Sequence, residues 1–203
     1  MRADILISVI TRDVIHAATT QWLCEQPYMR YIICTPYTIQ HQRNLQVERF
    51  LAGAWDWLFI VDNDVVPKAG TIERLLEQAG ERKRTVMVAP PLTLDTENKV
   101  HPMAYTQGDD GLYHFIDTRQ GKVKIDGTGM SGALLPRNLF EALRGVHSYA
   151  EPWFETTHDE DDGKLLQSED FYFWERVRAL GWQIVADLDL VADRIKPMRL
   201  GYL

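Results

Sequence analysis

Two aspartates stand two positions apart at the end of an apolar run, "WLFIVDNDVV" (57–66). On a strand, side chains at i and i+2 point the same way, so Asp62 and Asp64 can face one cleft. Two carboxylates that close raise each other's pKa unless a cation neutralises them. Their hard oxygens suit Mg²⁺ or Mn²⁺, and Mg²⁺ takes one or two protein carboxylates and completes its shell with phosphate oxygens and water. The pair therefore reads as half of a site that a diphosphate would complete. The same Asp62-Asn63-Asp64 triplet also suits a polar turn bonded to its own backbone. The spacing alone leaves both readings open.

The elements around the pair suggest where it sits. "DILISVI" (4–10) is a buried-strand run, and "DVIHAATTQWLCEQ" (13–26) has helical spacing with Asp13 as cap. "MRYIICT" (29–35) gives a second strand and "IQHQRNLQVERFLAG" (39–53) a second helix closed by Gly53. "WLFIV" (57–61) is the third strand. "TIERLLEQAG" (71–80) follows, with Thr71 as cap and Gly80 as stop, and "TVMVA" (85–89) is a fourth strand ended by Pro90-Pro91. Alternation of this kind predicts a parallel sheet covered by helices on both faces. Ligands of open parallel sheets collect at the C-terminal strand edge, where Asp62 and Asp64 fall.

After residue 90 the pattern changes. "GLYHFIDTRQGKVKID" (111–126) reads as a hairpin turning near Gln120-Gly121. "SGALLP" (131–136) is a strand, followed by a short helix to about Arg144. "ETTHDEDDGK" (155–164) is an acidic loop without periodicity. "SEDFYFWERVRALG" (168–181) is a helix bounded by Ser168 and Gly181, and "WQIVADLDLV" (182–191) gives one or two final strands. The fold class is α/β: a mostly parallel central sheet flanked by helices, with a smaller mixed or antiparallel part. Residues 1–203 read as one domain, with an α/β half over 1–90 and a loop-rich half over 91–203.

Composition narrows the partners. With 203 residues, 45% hydrophobic and 25% charged, the chain is long enough for an ordinary globular core. A net charge of −7 disfavours broad attraction to nucleic acid or anionic membrane, although a local basic patch stays possible. No apolar run has the length of a membrane span, and the first ten residues make no convincing signal peptide. Two cysteines, Cys24 and Cys34, form no disulfide framework and are expected as free buried thiols in a reducing cytoplasm.

Four segments in order resemble the GT-A glycosyltransferases, particularly family 2-like members. "WDWLFIVDNDVVP" resembles their D-x-D strand, and "QRNLQVERFLAG" (42–53) their Arg-Asn helix. "GTGMSGALLPRNLFEAL" (127–143) is similar to the Gly-rich stretch and strand beside the sugar site. "SEDFYFWERVRALGW" (168–182) is similar to the Glu-Asp helix start that carries the catalytic base. The likeness spans roughly residues 4 to 192.

The resemblance implies a nucleoside-diphosphate sugar as donor, a saccharide or other hydroxyl acceptor, and Mn²⁺ or Mg²⁺ at the diphosphate. Residues 1–90 become the nucleotide half and 91–203 the acceptor and catalytic half. Asp62 matches the carboxylate on the nucleotide side, with Asn63 beside it, and Asp64 matches the metal ligand; Asp62 is counted with the metal as well. Thr11, Arg12 and Asp13 follow the first strand, where the family binds base and ribose. Arg43 and Asn44 match positions that approach nucleotide or diphosphate, although Arg43 and Arg12 would serve equally as solvated charges. Gly129, Ser131 and Gly132 would let the backbone approach the donor sugar, or simply form a turn. Asp170 matches the base that takes the acceptor's proton, with Glu169 in support. A helix N-terminus lowers a carboxyl's pKa, so desolvation or a like charge must compensate if Asp170 is a base rather than a cap. A single base opposite the leaving group favours inversion and leaves a retaining mechanism open.

Other readings accompany these. Trp153 and Phe154 are either an acceptor platform or core, and the Phe171–Trp174 aromatics suit packing. The acidic loop is either a lid or a plain surface loop. Relatives place a metal-ligand histidine after the final strand, where this chain reads "LVADRIKPMRLGYL". Asp193, water, or a direct contact from Arg194 or Lys196 to the diphosphate would fill that role, while His158 is a lone loop histidine. Two other functions fit the same fold: a sugar-nucleotide nucleotidyltransferase, disfavoured by the glycine-free "SVITRDVIHAA", and a catalytically silent carbohydrate-binding or scaffold protein.

Overall fold

The run ILISVIT forms β1 (Ile5–Thr11), and all seven of its residues are buried, as a strand covered on both faces requires. The computed structural model describes residues 4–80, 84–146, 152–159 and 163–196. Along the chain follow α1 (Ala17–Glu25), β2 (Met29–Cys34), α2 (Ile39–Ala52), β3 (Trp57–Asp62), β4 (Val65–Val66), α3 (Thr71–Gly80) and β5 (Thr85–Val88). Then come β6 (Leu92–Leu94), β7 (Val100–Pro102), β8 (Ala104–Gln107), β9 (Tyr113–Phe115), β10 (Lys122–Ile125), β11 (Gly127–Thr128), β12 (Ala133–Pro136) and α4 (Arg137–Val146). The remainder holds β13 (Thr157–His158), β14 (Leu165–Gln167), α5 (Glu169–Ala179), β15 (Gln183–Asp187) and β16 (Asp193–Arg194).

Seven strands make the central sheet in the order β10-β15-β5-β12-β3-β1-β2. β1 lies parallel to both β2 and β3, and β15 parallel to β5. β12 runs antiparallel between β3 and β5, and β10 closes the far edge antiparallel to β15. Alternation along the strands divides the core in two. Leu6, Leu58, Ile60 and Val86 face Phe50 of α2, Phe140 of α4 and Trp174 of α5. Ile7, Val9, Phe59 and Val61 face Trp22 of α1 and Leu75 of α3 on the other side. This is period-2 patterning feeding two helical layers.

The structure corrects several expectations. Residues 111–126 do not form a hairpin. β9 pairs with β8, while β10 pairs with β15, so the Gln120-Gly121 turn connects two different sheets. A local turn signal says that the chain bends, not which strand it meets next. Asp13 does not cap α1, which starts at Ala17 with His16 at the capping position. Thr11 Oγ1 donates to the Val14 carbonyl at 2.7 Å, and Asp13 Oδ1 accepts from the Val14 N–H at 2.6 Å, which turns the chain before the helix starts. Both cysteines are free, but exposed rather than buried, because Cys34 ends the edge strand β2 and Cys24 lies on an outer turn of α1. Residues 157–158 of the acidic stretch pair as β13 with 165–167, β14, just after it, and residues 160–162 lie outside the described residues. Among the described residues no helix is long and apolar enough to cross a membrane.

Candidate active site

β3 ends at Asp62, and Asn63 and Asp64 turn the chain into β4. The triplet is a turn, and its two carboxylates line one cavity. The Asp62 N–H donates to Ser131 Oγ at 2.9 Å. Ser131 sits in the loop before β12, which is clamped between neighbouring strands: the Gly132 N–H donates to the Ile60 carbonyl at 2.8 Å, and the Ala89 N–H to the Gly132 carbonyl at 2.9 Å. Gly132 has φ +84°, and a Cβ there would lie 1.9 Å from the Ala89 carbonyl oxygen. Glycine is required by conformation and by space. Gly132 and Ser131 thus position the loop and Asp62, while Gly129 borders the cavity, its would-be Cβ 3.8 Å from Asp170 Oδ2.

Asp64 is held by the short ladder between β4 and β16, where Arg194 pairs with Val65. The Ile195 N–H donates to the Asp64 carbonyl at 2.8 Å. Arg194 Nε donates to Asp64 Oδ2 at 3.0 Å, and Nη1 lies 3.3 Å from Met103 Sδ. Asp64 Oδ1 is buried without a hydrogen bond.

Arg43 projects from α2, 3% exposed, and its Nη2 donates to Asp62 Oδ1 at 2.7 Å. Burial alone would lower its pKa, but Asp62, Asp170 and Glu169 together raise it, so it is a permanent charge. Asp170 opens α5 beside Glu169, with Ser168 at the N-cap position but making no side-chain cap bond. Its pKa is pushed up to about 7 by burial first. Arg43 and the Met130 backbone N–H act against that rise, while Glu169 and Asp62 add to it. Asp170 Oδ1 is shut off from solvent and carries no hydrogen bond. Desolvation thus overcomes the helix dipole, the condition a base in this position requires.

These groups share a cavity of about 430 Å³ at the C-terminal ends of β1 and β3. Of the sequence-predicted residues it gathers Thr11, Arg12, Asp13, Arg43, Asp62, Asn63, Asp64, Gly129, Glu169 and Asp170, with Arg194 added. Asn63 Nδ2 donates to the Val14 carbonyl at 2.8 Å, tying the turn to the loop after β1. Asn44 is not brought in. Its Nδ2 donates to the Phe154 carbonyl at 2.9 Å and its Oδ1 accepts from the Phe154 N–H at 3.1 Å, so it fastens residues 152–156 to α2. Phe154 is fully buried and stacks on Phe173 at 4.6 Å, and Trp153 packs partly buried against the core under Arg144; neither offers a platform. Exposed His158 and Lys196 and the partner of Val66 in the ladder, Asp193, lie outside the lining. Sequence reasoning missed Met103, an uncharged residue of no motif, and Gln42, which opens the Arg-Asn helix segment but carries no charge to mark it; both line the wall.

A larger groove of about 1290 Å³ opens at the opposite sheet edge. Its most prominent cation, Arg137, is consumed by the carbonyls of Phe50, Leu51, Gly53 and Trp55 at 2.7–3.3 Å, which end α2.

This seven-stranded, mostly parallel sheet with its helical layers is the GT-A fold of glycosyltransferases. The chain is similar to A197 from STIV over 98% of both chains, with a TM-score of 0.65 and 14% identity. It is also similar to GalNAc-T7, whose crystal structure holds UDP, GalNAc and Mn²⁺, with a TM-score of 0.61 and 8% identity. That likeness covers 97% of this chain and 43% of GalNAc-T7. No protein-family model matches the chain, and no curated protein matches it in sequence.

Proposed function

We propose that the chain is a glycosyltransferase that moves a sugar from a nucleoside-diphosphate sugar to a hydroxyl acceptor with inversion. The observation that carries this reading is Asp170, a carboxyl pushed up to about 7 with one oxygen dry and unpartnered, on the wall that also presents Asp62 and Asp64. Such a group is about half ionised at pH 7 and basic enough to accept a proton. The acceptor oxygen forms a bond to the anomeric carbon as the bond from that carbon to the diphosphate oxygen breaks. The acceptor proton goes to Asp170, and the electron pair leaves with the diphosphate. Arg43 holds Asp62 in place and tempers the rise of Asp170's pKa.

The residues fit a divalent cation in a limited way. Among the described residues no cluster of three His, Cys, Asp or Glu side chains is placed to hold a metal ion. Asp62 Oδ1 and Asp64 Oδ2 are taken by guanidiniums, which leaves Asp62 Oδ2 and the buried, unpartnered Asp64 Oδ1 as the oxygens that would hold Mn²⁺ or Mg²⁺. When bound there with a donor's phosphate oxygens, such a cation supplies charge stabilisation for the leaving diphosphate. The fold likeness to GalNAc-T7, whose structure contains UDP and Mn²⁺, supports this choice of ligands.

The test is a panel of nucleoside-diphosphate sugars assayed for nucleoside-diphosphate release, with and without a sugar acceptor. Wild type should turn over at least one donor. Asp170→Asn should bind that donor with similar affinity and turn it over about 10³-fold more slowly, the usual contribution of general acid–base catalysis. Full activity in this variant would overturn the assignment.

A further inference from the structure

Arg194 stands where relatives of this fold were expected to present a histidine to the metal, and its surroundings fit a different task. Its backbone is fixed by the β4–β16 ladder and by the Ile195-to-Asp64 bond of 2.8 Å. Its side chain is oriented by two contacts, Nε to Asp64 Oδ2 at 3.0 Å and Nη1 to Met103 Sδ at 3.3 Å. A thioether is a weak acceptor, so the second contact positions the guanidinium without spending it. The side chain stays 24% exposed and lines the cavity shared with Arg12 and Arg43. A fixed planar guanidinium with donors left over is suited to the oxygens of a phosphate. Asp64, with one oxygen already neutralised, offers a dication a weaker field than a free carboxylate does.

We infer that Arg194 is a diphosphate-binding residue, and that this fixed cation lets the cavity hold a nucleoside diphosphate without a divalent metal. The inference rests on the glycosyltransferase reading and deepens it. Arg194 supplies from the chain a positive charge at the leaving group, and metal becomes an addition rather than a condition. Asp64 then acts mainly as the strut that aims the guanidinium.

The experiment is calorimetric titration of ADP, CDP, GDP and UDP into the full chain, in EDTA and in MnCl₂. At least one diphosphate should bind in EDTA with a Kd within about tenfold of its value in Mn²⁺. Arg194→Ala and Arg194→Gln should each weaken that metal-free binding by about 10- to 100-fold, the scale of a charged hydrogen bond. The parent nucleoside, which lacks phosphate, should bind both variants as it binds wild type, which excludes a misfolded cavity as the cause. Arg194→Lys should recover part of the loss. Arg194→His should make binding depend on Mn²⁺, with manganese uptake read by electron paramagnetic resonance. Binding of wild type only in Mn²⁺, or unchanged affinity in both neutral variants, overturns the inference and leaves the glycosyltransferase reading standing. Failure of every diphosphate in both buffers overturns the two together.

Discussion

Asp187 and Asp170 are both buried carboxyls in the same chain, and they are treated in opposite ways. Asp187, at the end of β15, is 0% exposed and accepts from Arg74 Nε at 3.0 Å, Gln78 Nε2 at 2.7 Å and the Asp189 N–H at 3.1 Å. Its charge is matched on every side. Asp170 has the Met130 N–H, a partly balancing Arg43, and an oxygen with no partner at all. A saturated buried carboxylate stabilises the fold, whereas an unsaturated one costs stability and is kept where chemistry needs it. Two arginines of the two cavities differ likewise. Arg137 spends its guanidinium on four carbonyls, and Arg43 keeps a buried Nε without a partner.

Substituting each aspartate should break the comparison in opposite directions. Asp170→Asn should produce the largest effect on activity, the loss of about 10³-fold in turnover already described, with no loss of stability at neutral pH. Asp187→Ala should do the reverse. It removes the acceptor of buried Gln78 and of Arg74, whose half-exposed charge can return to water, so the cost should be about 2–3 kcal/mol in urea unfolding. Donor affinity measured below the unfolding transition should be unchanged. If Asp187→Ala instead lost activity at full stability, the two sites would not be separable.

The contrast was only half legible in the sequence. Strand-helix alternation over residues 4–89 carried the sheet, because buried parallel strands need continuous apolar runs that few other structures use. The Asp62-Asn63-Asp64 turn was legible for a similar reason, since it interrupts a strong apolar run, whereas Arg43 stood out only through the resemblance of its helix to the family's Arg-Asn segment. The site of β10 was not. "KVKI" is four residues of weak alternation, and its partner β15 lies some sixty residues downstream. The pairing that delivers Arg194 to Asp64 involves two-residue strands, too short to show any period. Asn44 was misplaced because its motif position predicted a ligand, while its real partner, the Phe154 backbone, is 110 residues away.

Arg43 gives a smaller and more specific test. Because it opposes the rise in Asp170's pKa, Arg43→Gln should move the acid limb of the pH–rate profile to higher pH. In wild type, kcat/KM should climb about tenfold per pH unit below the midpoint near 7 and level off above it, since the base must be ionised. The variant should keep that shape with its midpoint displaced upward by at least about half a unit, the scale set by a nearby charge. A midpoint that stays in place would mean that Arg43 does not reach Asp170 electrostatically.

A further effect lies in stability itself. Asp170 has a native pKa raised to about 7 from an ordinary 3.8, so between those values the native chain keeps a proton that the unfolded chain has lost. Stability from this group is therefore fully present below about pH 4, falls as pH rises through the window, and is lost above about pH 7. Asp170→Asn carries no such penalty. Its unfolding free energy should match wild type near pH 4 and exceed it by at least about 1 kcal/mol at pH 8. Asp95, Asp110 and Asp189 have lowered pKa values, and their contribution has the opposite sign at lower pH. They are common to both proteins and cancel in the difference. Urea unfolding of the pair at pH 4, 6 and 8 isolates the one carboxyl, and parallel stability curves would show that Asp170 is as well matched as Asp187 and no base in waiting.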